Sequence, residues 1–249
     1  MTSSPSLSVI VPLYIYPLEK AWEPLFHAAK AHPNVRFLVI VNPHNGPGDS
    51  ALPDASYAAA LRELSAVCNI HVIGYVHCTY GSRPVDDIRR DIDVYLGWND
   101  QFRVDGIFVD EAPSSSDKVA YMASLTEYTS KSWEGALGRR SINILNPGVV
   151  AHAAYFDSAD FVVTFEQSAA HWNVDDVKNA IETLAPDHCP KSLVIIHTCD
   201  SDEEISDLVQ QAKSKSLGGI YITEQVGGFF TKWPQAWDHF LDRVGTASA

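Results

Sequence analysis

Eight short apolar runs, rich in β-branched residues, recur along the chain, and stretches with helical spacing separate them. The runs cover residues 8–14, 36–42, 71–78, 106–110, 141–146, 161–166, 193–198 and 219–224. Most are apolar on both faces, which is typical of parallel strands covered by helices. Eight strand–helix units in 249 residues predict an α/β fold, a single-domain (β/α)8 TIM barrel spanning residues 1–249.

An open doubly wound sheet is the alternative fold, because it also alternates strands and helices. Its dinucleotide-binding members carry Gly-x-Gly-x-x-Gly after the first strand, and that motif is missing here. The number of apolar runs therefore favours the barrel.

The charge balance excludes two classes of partner. Asp and Glu number 31 against 18 Lys and Arg, which gives a formal net charge of −13. Such a charge repels phosphate backbones and anionic lipid headgroups, so neither nucleic acid nor a membrane surface is an expected partner. Nothing in the sequence predicts a partner chain, and we expect a monomer.

The sequence carries no recognisable targeting or membrane-spanning segment. Its apolar runs are far shorter than the roughly 20 residues that a transmembrane helix needs. Residues 1–7 lack the basic start and apolar stretch of a signal peptide. We therefore expect a cytoplasmic protein as the sequence stands, and a secreted or cell-wall protein if the N-terminus was trimmed. Four cysteines without Cys-x-x-Cys spacing are expected to be free thiols.

In a barrel of this type, the active-site residues lie at the carboxyl ends of the strands and in the loops that follow them. Asp110 and Glu166 each end an apolar run, on strands that are next-but-one neighbours. Two such carboxylates can face each other at the distance that glycoside cleavage uses, one protonated as acid and the other ionised. Glu111 adds a like charge beside Asp110, but adjacent strand residues point to opposite faces, so only one of the two enters the barrel interior. The alternative is that these carboxylates cap helices or pair with Arg83 or Arg103.

Other polar and aromatic residues near the strand ends are candidates for substrate binding. Tyrosines present a flat face with a polar tip that suits sugar rings, and Trp172 follows Glu166 closely enough to form a subsite wall. We expect Trp22, Trp133 and Trp237 to pack helices instead. The candidate substrate-binding residues are Tyr14, Asn42, His44, Tyr75, His77, Tyr80, Asn146, Trp172, His197 and Glu224. For Asn42 and His44, the alternative is a role confined to a Pro/Gly-rich turn.

The sequence gives weak support to two other kinds of site, a zinc site and a phosphate-binding site. His77, His197, Asp110 and Glu166 are residue types that zinc binds, but strand one lacks His-x-His and the chain contains no His-Glu-x-x-His. Gly227-Gly228 resembles a phosphate cradle of barrel enzymes, although a lone Gly-Gly pair is a weak signal. We therefore predict neither a metal ion nor a cofactor.

Seven motifs, in order along the chain, resemble those of the spherulation-specific family 4 (spherulin 4) proteins. They are Pro12-Leu13-Tyr14, Asn42-Pro43-x-x-Gly46-Pro47-Gly48, Gly74-Tyr75-Val76-x-x-x-Tyr80-Gly81-x-Arg83, Asp91-Ile92-x-x-Tyr95-x-x-Trp98, Gly106 to Glu111, Asn146-Pro147-Gly148 and Glu166. The resemblance implies a (β/α)8 barrel. For the characterised fungal branch, glycoside hydrolase family 135, it implies an endo-acting hydrolase of α-1,4-linked N-acetylgalactosamine in galactosaminogalactan. The acidic trio of the family falls on Asp110, Glu111 and Glu166.

Together these observations predict a glycoside hydrolase acting within an oligo- or polysaccharide that contains amino sugars. Asp110 is assigned as nucleophile, Glu166 as general acid/base and Glu111 as an orienting residue, with a retaining mechanism favoured. Two alternatives stay open. One is a barrel that binds carbohydrate without cleaving it, and the other is a lyase or isomerase of a small phosphorylated substrate.

Overall fold

The computed structural model describes residues 7–246. Eight parallel strands form a closed barrel in chain order, and helices cover its outside. The strands are β1 (Ser8–Leu13), β2 (Phe37–Val41), β3 (Ile70–His77), β4 (Gly106–Asp110), β5 (Ile142–Leu145), β6 (Phe161–Ser168), β7 (Ser192–His197) and β8 (Gly219–Ile222). The helices are α1 (Glu23–Ala31), α2 (Ala55–Ser65), α3 (Val85–Gly97), α4 (Val119–Leu137), α5 (Tyr155–Ser158), α6 (Ala169–Trp172), α7 (Asp175–Glu182), α8 (Asp202–Ser214) and α9 (Trp237–Gly245).

The strand ladder closes on itself, which confirms the barrel and excludes the open doubly wound sheet. Each strand pairs in parallel with the next, and β8 returns to β1 through Gly219 opposite Ser8. Every strand bound lies within two residues of the prediction. The strands are buried along almost their whole length, as expected for strands packed inside and out.

The helices begin and pack as their sequences indicate. Asp54 accepts hydrogen bonds from the backbone N–H groups of Ser56 and Tyr57 and so caps α2. Ser201 caps α8 in the same way, because its side-chain oxygen accepts a hydrogen bond from the backbone N–H of Glu204. The three tryptophans predicted to pack helices, Trp22, Trp133 and Trp237, are all buried. None of the helices within residues 7–246 is long and apolar enough to cross a membrane.

Strand β6 contains an irregularity that the sequence pattern does not reveal. Val163 lies opposite Leu193 and Phe165 opposite Val194, so Thr164 is an extra residue in the ladder. Such a bulge shifts the alternation of side chains between the two faces by one position. It thereby sets the face from which Glu166 projects, two residues further on.

A buried ionic cluster stabilises the barrel at the amino ends of the strands, opposite their carboxyl ends. Asp105, which directly precedes β4, is 7% exposed and accepts hydrogen bonds from Arg103 Nε at 3.0 Å, Arg139 Nη1 at 3.2 Å and the backbone of Val72 at 3.1 Å. Substituting this carboxylate leaves two guanidinium groups without their common partner.

We expect Asp105→Asn to lower the free energy of unfolding by at least about 2 kcal/mol, measured by urea denaturation. Asp86→Asn, at a side chain that is 85% exposed, serves as the control and should change little. Equal stability of the two variants would show that the cluster contributes nothing to folding.

Candidate active site

The carboxyl ends of the strands surround an open cavity of about 590 Å³. This volume lies within the range of small-ligand sites. Six consecutive strands, β3 to β8, supply its lining through their last residues and following loops. The lining residues are Tyr80, Asp110, Glu111, Asn146, Pro147, Gly148, Val149, Glu166, Gln167, His197, Gly227 and Gly228.

Asp110, the last residue of β4, is held by two hydrogen bonds. Its Oδ2 accepts from the hydroxyl of Tyr75 at 2.7 Å, and its Oδ1 accepts from Nδ2 of Asn146 at 2.7 Å. Tyr75 is itself buried, and its ring stacks on Phe108 of the same strand as Asp110. Both carboxylate oxygens therefore have a fixed position.

Asn146 bridges the two carboxylates that the sequence analysis paired. Its Nδ2 donates to Asp110 Oδ1 at 2.7 Å and to Glu166 Oε2 at 2.5 Å. Because one nitrogen contacts both, these two oxygens are at most about 5 Å apart, close to the roughly 5–5.5 Å typical of retaining glycosidases. The side chain of Asn146 is buried, and its Oδ1 has no hydrogen-bond partner. This oxygen is enclosed by protein, so it is the amide nitrogen of Asn146 that engages the two carboxylates.

Glu166 differs from Asp110 in its surroundings. Burial, together with the nearby charge of Asp110, raises the pKa of Glu166 to about 7, and the hydrogen bond from Asn146 opposes that rise. Gly148 lies against this residue with φ +66°, and a Cβ at that position would be 3.6 Å from Cβ of Glu166. Any other residue there would be strained and would touch the carboxylate-bearing side chain.

Glu111 follows Asp110 but turns away from it. Its φ of +52° places the residue in the left-handed region, and its carbonyl accepts from the backbone N–H of Tyr80 at 2.7 Å. Its carboxylate, 40% exposed, lies 3.8 Å from Nδ1 of His77. Both adjacent acids line the cavity, because β4 ends at Asp110 and the left-handed backbone at Glu111 lies outside the alternation of a regular strand.

Of the remaining aromatic and histidine candidates, Tyr80 and His197 line the cavity, whereas Tyr14 is not among its lining residues. Tyr14 packs edge-on against Tyr75, and burial with the charges of Asp110 and Glu166 raises the pKa of Tyr14 well above its usual value. Tyr80 is an exposed residue at the rim. His197 lines the cavity, hydrogen-bonds Thr198 Oγ1 at 2.8 Å, and burial lowers its pKa.

Four residues predicted to bind substrate make contacts that give them other roles. Trp172 is 2% exposed, packs on Phe165 and donates to Gln211 Oε1, because α6 turns it under α8 rather than toward the cavity. Glu224 accepts from the backbone N–H of Gln235 and orders the segment before α9. Asn42 accepts from the N–H of Gly46 and closes its own turn, in which His44 is exposed. For Asn42 and His44 the turn alternative accounts for the contacts.

The competing explanation for the carboxylates, pairing with an arginine or capping a helix, is not realised. Arg83 pairs with Asp91 at 2.7 Å, and Arg103 pairs with Asp105. Ser168, not Glu166, caps α6. Within residues 7–246, moreover, no group of three or more His, Cys, Asp or Glu side chains is arranged to hold a metal ion.

The phosphate-cradle interpretation of Gly227-Gly228 also loses support. Both glycines line the cavity, but the lining residues named above include three carboxylates and neither lysine nor arginine. A phosphate would therefore meet repulsion at this position.

The fold and the site together define a (β/α)8 barrel with a bridged pair of carboxylates at the carboxyl ends of β4 and β6. The chain belongs to the spherulation-specific family 4, whose family model matches residues 8–244. This confirms the resemblance seen in the sequence motifs.

Comparison with individual proteins agrees with that membership. Spherulin-4 of Physarum polycephalum is 31% identical over 236 residues, which cover 92% of this chain and 67% of that protein. The crystal structure of Aspergillus clavatus Sph3 in complex with GalNAc is 32% identical, with a TM-score of 0.88 over 97% of this chain and 98% of that one. A chitinase from Rhizomucor miehei, 13% identical with a TM-score of 0.56 over 96% and 99% of the two chains, shares the fold.

Proposed function

We propose that this protein is a glycoside hydrolase that cleaves within α-1,4-linked N-acetylgalactosamine polysaccharide. The observation that carries the proposal is the pair Asp110 and Glu166, bridged by Asn146 and placed in unlike surroundings. Similarity to Sph3, whose crystal structure contains GalNAc, supports the choice of sugar. The endo mode of action is supported by a cavity that is open at the surface of the barrel rather than closed around one sugar.

The two carboxylates divide the chemistry between them. Glu166, with its pKa of about 7, carries a proton near neutral pH and donates it to the glycosidic oxygen as the bond to C1 breaks. Asp110, oriented by Tyr75 and Asn146, attacks C1 and forms a glycosyl ester. Glu166, now ionised, takes a proton from water, which attacks C1, releases Asp110 and restores both groups.

The spacing and the linkage both favour a retaining mechanism with an enzymic nucleophile. The bridged carboxylate oxygens are closer together than the roughly 6.5–9.5 Å that separates the carboxyl groups of inverting enzymes. In an α-linked sugar the 2-acetamido group lies on the same side as the leaving group, so it cannot attack C1 from the rear. Glu111, close to His77, is assigned to orienting groups at the rim.

Removing the bridging amide should change the pH dependence as well as the rate. In Asn146→Ala, Glu166 loses the hydrogen bond that lowers its pKa and faces Asp110 without a donor between them. We expect kcat to fall about 10- to 100-fold because the pair loses its fixed geometry. The alkaline limb of the kcat/KM profile should move to higher pH, since a raised pKa keeps the acid protonated further. A limb that stays in place, or moves to lower pH, would contradict this role of Asn146.

Digestion of two polymers tests the proposed function directly. Purified α-1,4-linked N-acetylgalactosamine polymer and its partly de-N-acetylated form are incubated with the protein, and products are identified by mass spectrometry. The proposal predicts N-acetylhexosamine oligosaccharides of several lengths early in the reaction, from the acetylated polymer. An intact polymer that nevertheless binds the folded protein would overturn the hydrolase in favour of the carbohydrate-binding barrel.

A further inference from the structure

Exposed apolar side chains concentrate around the mouth of the cavity. Among the described residues, eight large apolar side chains are exposed. Two of them, Tyr80 and Val149, line the cavity, and two more, Val226 and Phe229, flank the glycine pair that lines it. Exposed apolar surface gathered beside a cleft marks a place where a ligand binds.

Two aromatic residues lie on the first and the last of the loops that line this cavity. The lining runs in sequence from the loop after β3 to the loop after β8. Tyr80 belongs to the first of these loops, and Phe229 belongs to the last. Asp110 and Glu166, at the ends of β4 and β6, lie between them along the same arc.

The backbone at Tyr80 is held in a costly conformation that keeps the ring outside. Thr79 and Tyr80 have φ values of +47° and +51°, a region that side-chain-bearing residues rarely adopt. The N–H of Tyr80 donates to the carbonyl of Glu111 at 2.7 Å, so the loop is tied to the end of β4. The ring is nevertheless 67% exposed.

Phe229 lies in a loop that, like the loop of Tyr80, contains residues with positive φ. Gly227 has φ +82°, and a Cβ there would be 3.1 Å from Cε2 of Phe229, so the ring lies directly over this lining glycine. The next residue, Phe230, is buried and packs edge-on against Tyr14 and Tyr221, which anchors the loop. Phe229 itself is 73% exposed at the edge of the cavity.

We propose that Tyr80 and Phe229 are two stacking platforms that bind sugar units on either side of the cleavage point. This inference rests on the proposed function and deepens it, because it assigns the substrate as an extended polysaccharide chain that runs from the β3 loop to the β8 loop. The apolar faces of sugar rings stack on aromatic rings, while the carboxylates that line the cavity contact the polar groups between. Each platform is assigned a different sugar unit of that chain.

Binding to an inactive variant tests the platforms without requiring turnover. In the Asp110→Asn background, calorimetry would measure the affinity for N-acetylgalactosamine and for its α-1,4-linked oligomers of increasing length. Phe229→Ala and Tyr80→Asn remove one ring each, and asparagine tolerates the left-handed backbone at that position. Tyr80→Phe and Phe229→Trp keep a ring, and Leu18→Ala removes an equally exposed apolar side chain from the wall of a different cavity.

We expect each ring-removing variant to bind the long oligomers about tenfold more weakly, which corresponds to about 1.4 kcal/mol. Affinity for the monosaccharide should stay within a factor of two, and the ring-keeping variants and Leu18→Ala should match the parent. If the ring-removing variants bind long oligomers as tightly as the parent, or if the parent gains no affinity with length, the platforms are overturned. Polymer cleavage by the wild type is judged separately, so the hydrolase can survive that result.

Discussion

Asp110→Asn is expected to fold normally and to lose about 10⁴-fold or more of its turnover on N-acetylgalactosamine polymer. The amide keeps the size of the carboxylate and still meets Tyr75 and Asn146, but it cannot form the glycosyl ester. Circular dichroism and urea denaturation would establish the fold, and release of reducing ends would give the rate. Asp86→Asn, on the exposed face of α3, is the matched control and should retain full activity.

Chemical rescue distinguishes a nucleophile from a residue that merely binds substrate. With Asp110→Ala and an activated α-linked substrate, azide can occupy the vacated space and attack C1 from the rear. The product would be the β-glycosyl azide, with inverted configuration. An α-glycosyl azide would show that Asp110 is the general acid/base and Glu166 the nucleophile, the reverse of the assignment. Near wild-type turnover in Asp110→Asn would show that Asp110 takes no part in the reaction.

Glu166→Gln is expected to lower kcat by about 10² to 10⁴-fold on the polymer, because the leaving oxygen no longer receives a proton. In the wild type, activity should fall as pH rises through about 7, where Glu166 loses its proton. That alkaline limb should disappear from the kcat/KM profile of the variant. A substrate with a leaving group that needs no proton should be cleaved far better than the polymer. Glu127→Gln, at an exposed pair on α4, is the control.

The same substitution should change stability in a pH-dependent way. The pKa of Glu166 is raised in the folded protein, so the fold loses stability as the pH rises from the unfolded-state pKa to about 7, and the loss is complete above that pH. Glu166→Gln should therefore raise the melting temperature at pH 8 relative to the wild type. Below the unfolded-state pKa both forms are neutral, and the difference should vanish near pH 4. A variant that is less stable at pH 8 would contradict the buried position of this carboxylate.

Much of the site follows from simple rules about parallel barrels. Asp110 and Glu166 were identifiable because each ends an apolar run, and the carboxyl ends of parallel strands meet at one face. Alternation along a strand also predicted that Glu111 and Asp110 do not both point into a regular barrel interior. These inferences depend on local periodicity, which the sequence contains in full.

Other parts of the site depend on contacts between distant segments. Asn146 resembled a sugar-binding residue, and only the closed barrel shows that its amide lies between Asp110 and Glu166. The extra residue Thr164 in β6 shows up only as a shift against β7. A signal for Phe229 did exist, since it follows a Gly-Gly pair after the last strand, but exposure cannot be inferred from that pattern.

Trp172 illustrates the opposite error. Its short distance from Glu166 in sequence predicted a subsite wall, but four residues of α6 are enough to rotate the indole away from the cavity and under α8. Proximity along the chain determines position within a strand better than across the end of a strand into a helical turn. Glu224 fails for the same reason, because β8 ends at Ile222 and the chain has already turned toward α9.

The most direct test of the carboxylate pair is the stereochemistry of the first product. Proton NMR recorded within the first minutes of hydrolysis of an α-1,4-linked N-acetylgalactosamine oligomer distinguishes the anomer released by the enzyme from the one formed later by mutarotation. Double displacement through Asp110 and Glu166 predicts the α-anomer first. Initial release of the β-anomer would contradict the account, because it requires direct attack by water on C1, with no glycosyl ester formed on Asp110.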